Sequence, residues 1–152
     1  MTPTETATAF LSLLPLAQHT GMTVEAAENG VFRVRLPLTA DTGNHMQTMH
    51  AALQFAVAEV LGGLVVVTAV PLEDLAKIFG AVKSAEIEYL RPARSHVTAE
   101  VQVPPEEIAR IRQCVAEGRE ARFTLAPSLR DAEGRDVARF SGVYVIRPRR
   151  ER

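Results

Sequence analysis

From Asn44 to Gly63 the chain runs out of a polar, turn-prone lead-in (Asp41-Thr42-Gly43-Asn44) into about fifteen residues that are almost all apolar. Small side chains alternate there with large ones, Ala51, Ala52, Ala56 and Ala58 against Leu53, Phe55, Val57, Val60 and Leu61. A surface helix needs a polar face, and this segment has none. It is also shorter and more interrupted than a membrane span requires. The remaining reading is a helix at the centre of a globular domain, around which the other elements must be arranged. His50, Gln54 and Glu59 are its polar exceptions.

Glu59 is the residue that most needs a reason. A carboxylate is rarely enclosed without a partner, because desolvation favours its neutral form. Either it meets an Arg or a protomer boundary, or it carries chemistry. His50 precedes it by nine residues. At about 100° and 1.5 Å per residue the two side chains fall on opposite sides of one helix, roughly 13 Å apart along its axis. They cannot meet within one copy. Either they are unrelated, or the helix serves two sites, each built from two chains.

The 152 residues suit one domain with a substantial core, and 47% apolar content excludes a disordered chain. A net charge of −1 gives no sign of a nucleic-acid partner. Cys114 is the sole cysteine, so there is no intrachain disulfide and no cysteine-based metal site, and it reads as a small packing residue. The apolar run Ala9–Ala17 has no basic residue before it, the first being Arg33, so it reads as a packing helix rather than a secretory leader. These features fit a cytoplasmic protein.

In chain order, Thr4–Gln18 reads as one helix, with Phe10, Leu13, Leu14 and Ala17 on a face and Gly21 just past its end. Met22–Ala26 and Val31–Leu36 alternate around Asn29-Gly30, the strongest short hairpin signal. Phe32, Val34 and Leu36 point inward there, and Arg33 and Arg35 to water. Val65–Val70 either continues the buried helix or unwinds, and Pro71–Gly80 is a connection with room for one helical turn. Strands are expected over Lys83–Arg91, with Ala85, Ile87 and Tyr89 on one face, and over His96–Val103. Glu106–Gln113 is a short helix or an irregular excursion. Glu120–Ala126 and Asp136–Ile146 are the last two strands, joined through the turn Asp131–Gly134. The order describes an α+β domain, one antiparallel sheet wrapped around one long central helix, plus a short N-terminal helix. The basic tail Arg147–Arg152 reads as a solvated end.

Asn44, His50 six residues on and Glu59 nine beyond it, followed by Tyr89-Leu90-Arg91-Pro92-Ala93 at a strand end, resemble the hotdog-fold acyl-CoA thioesterases. The likeness is to the phenylacetate-pathway type and related thioesterase-like proteins, and it covers roughly residues 29–146 of a single domain spanning 1–152, with its core at about 21–147. The resemblance implies a homodimer, often paired into a homotetramer, with acyl-CoA sites across the subunit interface and no cofactor beyond the substrate's own CoA. It implies that the Ala51 amide, at a helix N-terminus, receives the thioester oxygen. Asn44 would hold that carbonyl or orient water, and His50 would brace the turn. Glu59 of the other chain would be the nucleophile or general base. Arg91 and Arg94 would meet the CoA phosphates, and Tyr89, with Leu53 and Phe55, would line the acyl groove.

The family's two glycines after the His are Ala51 and Ala52 here, and the glycine three before it is Gln47. Because glycine permits positive φ and close backbone approach, these changes bear on rate and substrate more than on fold, and Gln47 is expected to narrow the acyl opening. Two other readings stay open: a hotdog protein that binds acyl-CoA or an acyl-carrier protein without turning it over, and a hotdog dehydratase or hydratase.

Overall fold

The computed structural model of the chain describes residues 1–150, so Glu151 and Arg152 of the basic tail lie outside the described residues. The expected N-terminal helix is two helices, α1 (Pro3–Ser12) and α2 (Pro15–Thr20). Pro15 is the cause: it supplies no amide to the turn before it and starts a new helix at its first position. Thr2 and Glu5 close a capping box on α1, and Gly21 ends α2 in the left-handed region at φ 75°. Of the expected face Ala17 is buried and Phe10 and Leu14 are half-buried against the core, so only Leu13 departs from it. Ala7, Leu11 and Ala17 are enclosed, and Leu13 is 75% exposed.

Strands β1 (Thr23–Glu28) and β2 (Val31–Leu36) form the Asn-Gly hairpin. Asn29 and Gly30 both have positive φ, 54° and 78°, as the tight turn requires. Phe32, Val34 and Leu36 are buried, and Arg33 pairs outward with Glu100 on the neighbouring strand rather than standing free in water.

The central helix α3 runs over Ala51–Ala69. Residues 65–69 continue it, and Pro71 sets its end, since the residue before a proline is driven to extended backbone; Val70 has ψ 134°. With 19 residues and a mean hydropathy of 1.9, α3 exceeds the run expected from the sequence, and by length and composition alone it could cross a membrane. In the fold that apolarity faces the sheet, and Val57, Leu61, Leu64 and Val65 are completely enclosed.

A single helical turn, α4 (Leu72–Leu75), precedes β3 (Ile78–Tyr89), which starts five residues before the expected strand. Next come β4 (Val97–Gln102) and a full helix α5 (Pro105–Ala116), which buries Ile111 and Cys114. The chain continues through β5 (Ala121–Leu125), β6 (Ser128–Arg130) and β7 (Asp136–Pro148). β6 was not expected: the turn Asp131–Gly134 joins β6, not β5, to β7.

The sheet order is β1-β2-β4-β6-β7-β3, antiparallel throughout, with β5 on the same edge of β7 as β6. Among the described residues β3 pairs only with β7 and leaves its other edge open. Ala85 and Tyr89 are consequently exposed, and only Ile87 of the expected inward face is half-buried.

Candidate active site

The loop before α3 is built by its own side chains. Asn44 Oδ1 accepts the amides of Met46 and Thr48 at 2.9 and 3.1 Å, and its Nδ2 donates to Thr48 Oγ1 at 2.8 Å. Three of the four hydrogen-bonding positions of that side chain are thus spent inside the loop. Gln47 holds φ 60°. The backbone therefore keeps the left-handed geometry that the resemblance assigns to a glycine, and an exposed Gln adopts it at a cost of roughly 1–2 kcal/mol.

His50 is the N-cap of α3, with Nδ1 accepting the Ala52 amide at 3.0 Å. The amides of Leu53 and Gln54 both reach the His50 carbonyl, at 3.1 Å each. Ala51 is left as the first-turn residue whose N–H meets no protein acceptor among the described residues. An unpaired donor at the positive end of a 19-residue helix is suited to receiving developing negative charge. Truncating His50 to Ala removes the cap. That change is expected to lower stability by about 1 kcal/mol in urea unfolding, with His50→Asn recovering most of it.

The other residues of this end converge on the same first turn. Tyr89 Oη donates to the Ala51 carbonyl at 2.7 Å, tying the end of β3 to α3. The Met49 amide donates to the Ala93 carbonyl at 2.8 Å, which sets the Arg91–Arg94 loop beside the helix start. Both arginines are exposed and join no ion pair among the described residues. Gln54 packs beneath, 4% exposed, with Nε2 on the Met49 carbonyl at 3.2 Å.

Glu59 stands apart, roughly 12 Å along the axis from Ala51. It lines a cleft of about 400 Å³ between α1, α3, β3 and β7, and is the one charged side chain in its wall among the described residues. Its carboxylate has no hydrogen bond or ion pair among the described residues, and burial pushes its pKa above the ordinary carboxylate value. Beneath it the Tyr144 hydroxyl donates to the Glu59 carbonyl at 2.9 Å. Burial, and then the nearby Glu59 charge, push that phenol's pKa up. Leu53, Phe55 and Tyr89, the expected groove lining, are not part of this wall; Phe55 turns edge-on to Phe140 at 5.2 Å. Phe10, Leu14, Val66 and Leu75 take their place.

Sequence reading therefore located seven residues that gather at the start of α3 and an eighth, Glu59, in a separate cleft. It passed over Tyr144 and Gly62. The signal for them was a glycine pair in a helix interior, which usually marks a close approach. No group of three or more His, Cys, Asp or Glu side chains suited to a metal occurs among the described residues.

A seven-stranded antiparallel sheet wrapped around one long helix is the hotdog fold of the thioesterase superfamily. The chain belongs to the family described as a domain of unknown function, DUF4442, whose model matches residues 5–146. Among solved structures it is similar to a Pseudomonas aeruginosa protein described as of unknown function and a "probable thioesterase" (28% identity, 97% of each chain, TM-score 0.82). It shares its fold with the PaaI protein of the E. coli phenylacetic acid degradation operon (16% identity, 97% of this chain and 94% of the other, TM-score 0.68). A Halobacterium salinarum protein named "putative esterase" is 31% identical over 91 residues, which are 58% of this chain and 59% of that relative, so the match spans less than two thirds of its length.

Proposed function

We propose that the protein is a thioesterase that hydrolyses acyl-CoA to the free acid and CoA, in a site shared by two copies. The observation that carries this reading is Glu59, a half-buried carboxylate with no partner among the described residues, at an otherwise apolar cleft. A fold has little reason to keep such a group unless it acts as a base or nucleophile. The free Ala51 N–H supports the complementary role of oxyanion donor.

In this reading Glu59 takes a proton from water as the water oxygen bonds to the thioester carbon, or attacks that carbon itself. Negative charge on the former carbonyl oxygen falls on the Ala51 N–H of the second copy. Collapse breaks the C–S bond and releases CoA as a thiolate, which needs little help from an acid. On the direct-attack route the acyl group remains on Glu59 as an anhydride, which water then cleaves to give the free acid and restore the carboxylate. His50 holds the donor turn, Asn44 shapes the loop, Gln47 borders the opening, Tyr89 fixes the Ala51 peptide, and Arg91 and Arg94 meet the CoA phosphates. Two copies are required because reacting atoms must approach to about 3–3.5 Å, and one helix separates its two groups by several times that distance. The open edge of the 12-residue β3, beside the cleft, favours a second copy as the partner there.

The test is release of CoA thiol from a panel of acyl-CoAs. Ala51→Pro is the sharpest probe. Proline is accepted at the first helical position, and His50 already has the extended backbone that a following proline demands (φ −61°, ψ 134°), so the substitution removes little besides the N–H. Activity is expected to fall by roughly 10²–10³. Mixing Ala51→Pro with Glu59→Gln chains should restore turnover, since a mixed dimer contains one intact site. A mixture no more active than either parent would refute the shared site, and a parent chain that releases no CoA from any thioester would refute the hydrolase.

A further inference from the structure

The cleft beyond Glu59 has a direction. Glu59, Gly63, Val66 and Val67 lie at i, i+4, i+7 and i+8, a single stripe along α3 about 12 Å long. Leu75 and Ile78 complete the far wall. Midway along the stripe stands Phe10. A Cβ on Gly63 would sit 2.6 Å from Phe10 Cε1 and 2.9 Å from Cζ, so the tip of the ring lies directly on the helix backbone one turn past Glu59. The helix can present bare backbone there only because residue 63 is glycine.

Resting on the thioesterase reading, we propose that this cleft receives an unsubstituted aliphatic acyl chain and that Phe10, seated on Gly63, sets its length. The occupant's chemistry follows from the wall. Among the described residues Glu59 is its only charged side chain, and the Tyr144 hydroxyl is already spent on the Glu59 carbonyl. A peptide segment there would leave its amides and carbonyls unpaired, at a cost of kilocalories each. A hydrocarbon tail has nothing to pair, and its thioester head falls at the carboxylate. A chain bearing its own carboxylate would be repelled by Glu59 and desolvated. The protomer that supplies Glu59 thus also supplies the acyl site, and CoA lies over the other copy.

With C–C bonds of about 1.5 Å in a zigzag, an extended chain advances roughly 1.25 Å per carbon. The path from Glu59 to Phe10, about 6 Å, holds roughly five carbons, and the full stripe holds roughly ten. Removing the Phe10 ring opens the second half, and adding a methyl at Gly63 pushes the ring outward into the cleft.

The test compares hexanoyl- and decanoyl-CoA in the parent, Phe10→Ala and Gly63→Ala chains, with thermal melts as a check on folding. The decanoyl-to-hexanoyl ratio of kcat/KM should rise roughly tenfold or more in Phe10→Ala and fall in Gly63→Ala. The same two substitutions in a Glu59→Gln background, read by calorimetric binding of the two acyl-CoAs, should shift the affinity ratio in the same directions. An active parent whose ratios do not move in either variant overturns the proposal and leaves the thioesterase reading intact. Absence of turnover with affinity ratios that still shift overturns the hydrolase and keeps the acyl cleft. Absence of both overturns the two together.

Discussion

Glu59→Gln is expected to abolish CoA release, by a factor of roughly 10³ or more, in a protein that is more stable than its parent at neutral pH. Both halves come from one fact, the half-burial of a carboxylate that no other described residue neutralises. As base or nucleophile Glu59 must be ionised. Its raised pKa therefore places the acid limb of the rate–pH profile above the position an exposed carboxylate would give. Stability runs the other way. Between the ordinary value of 4.5 and the higher folded value, the unfolded chain has released its proton and the folded chain still holds it. The folded state then binds more protons, so stability falls as pH rises through that window and stays reduced above it. Gln keeps the shape and carries no charge. The variant's Tm advantage should be full above the folded pKa and vanish as pH drops below about 4.5, where the parent's Glu59 is neutral in both states. Melts of both chains across that range decide it. A parent more stable than Glu59→Gln at neutral pH would mean that Glu59 has a partner in the assembled protein, and its reading as a free base would fail.

How much of this was legible in the sequence depends on whether the information was local. Asn29-Gly30 fixed a hairpin because two positive φ angles in a row demand those residue types. The buried helix was legible because a run apolar on every side cannot lie on a water-facing surface. Its end was written in Pro71. The separation of His50 and Glu59 needed only helix geometry, and in the structure His50 caps the helix that carries Glu59. The break at Pro15 was equally local and was overlooked because the apolar spacing runs across it. Other features were not local. β6 is three residues long, too short for any alternation to register. The cleft wall combines residues 10, 59, 75, 82 and 144, brought together by tertiary packing that no single-sequence pattern encodes. Phe55 is one turn from Glu59 and should share its face, but its ring is held by Phe140. Asn44 matched a pattern by position, and only the coordinates show how many of its hydrogen bonds the loop consumes.

Gly62 carries the second large effect. In a helix interior, replacing glycine with alanine ordinarily stabilises by about 1 kcal/mol. Here the sign should reverse. A Cβ at residue 62 would lie 2.0, 2.4 and 2.6 Å from Cε1, Cδ1 and Cζ of Tyr144, inside the ring's own contact surface along one edge. The ring has no direction in which to retreat. It stacks on Phe123 with centroids 5.2 Å apart and planes 10° from parallel, both rings are buried, and its hydroxyl is anchored on the Glu59 carbonyl. Relief would need either the Phe123 stack or the Glu59 hydrogen bond to give way, or α3 to lift from β7. Overpacking of this kind costs about 3 kcal/mol or more, so Gly62→Ala should lose about 2 kcal/mol net in urea unfolding. Tyr144→Leu, which withdraws the ring, should destabilise alone through lost packing but remove most of the penalty of Gly62→Ala, so that the double variant is clearly more stable than the sum of the two losses. Additivity would mean that residue 62 and the ring do not touch in solution. The coupling reaches the site as well: a displaced Tyr144 frees the Glu59 carbonyl and moves the cleft wall beneath the carboxylate. What activity survives in folded Gly62→Ala protein should therefore show a reduced kcat, whereas Gly63→Ala, one residue on and facing Phe10, should alter chain-length preference.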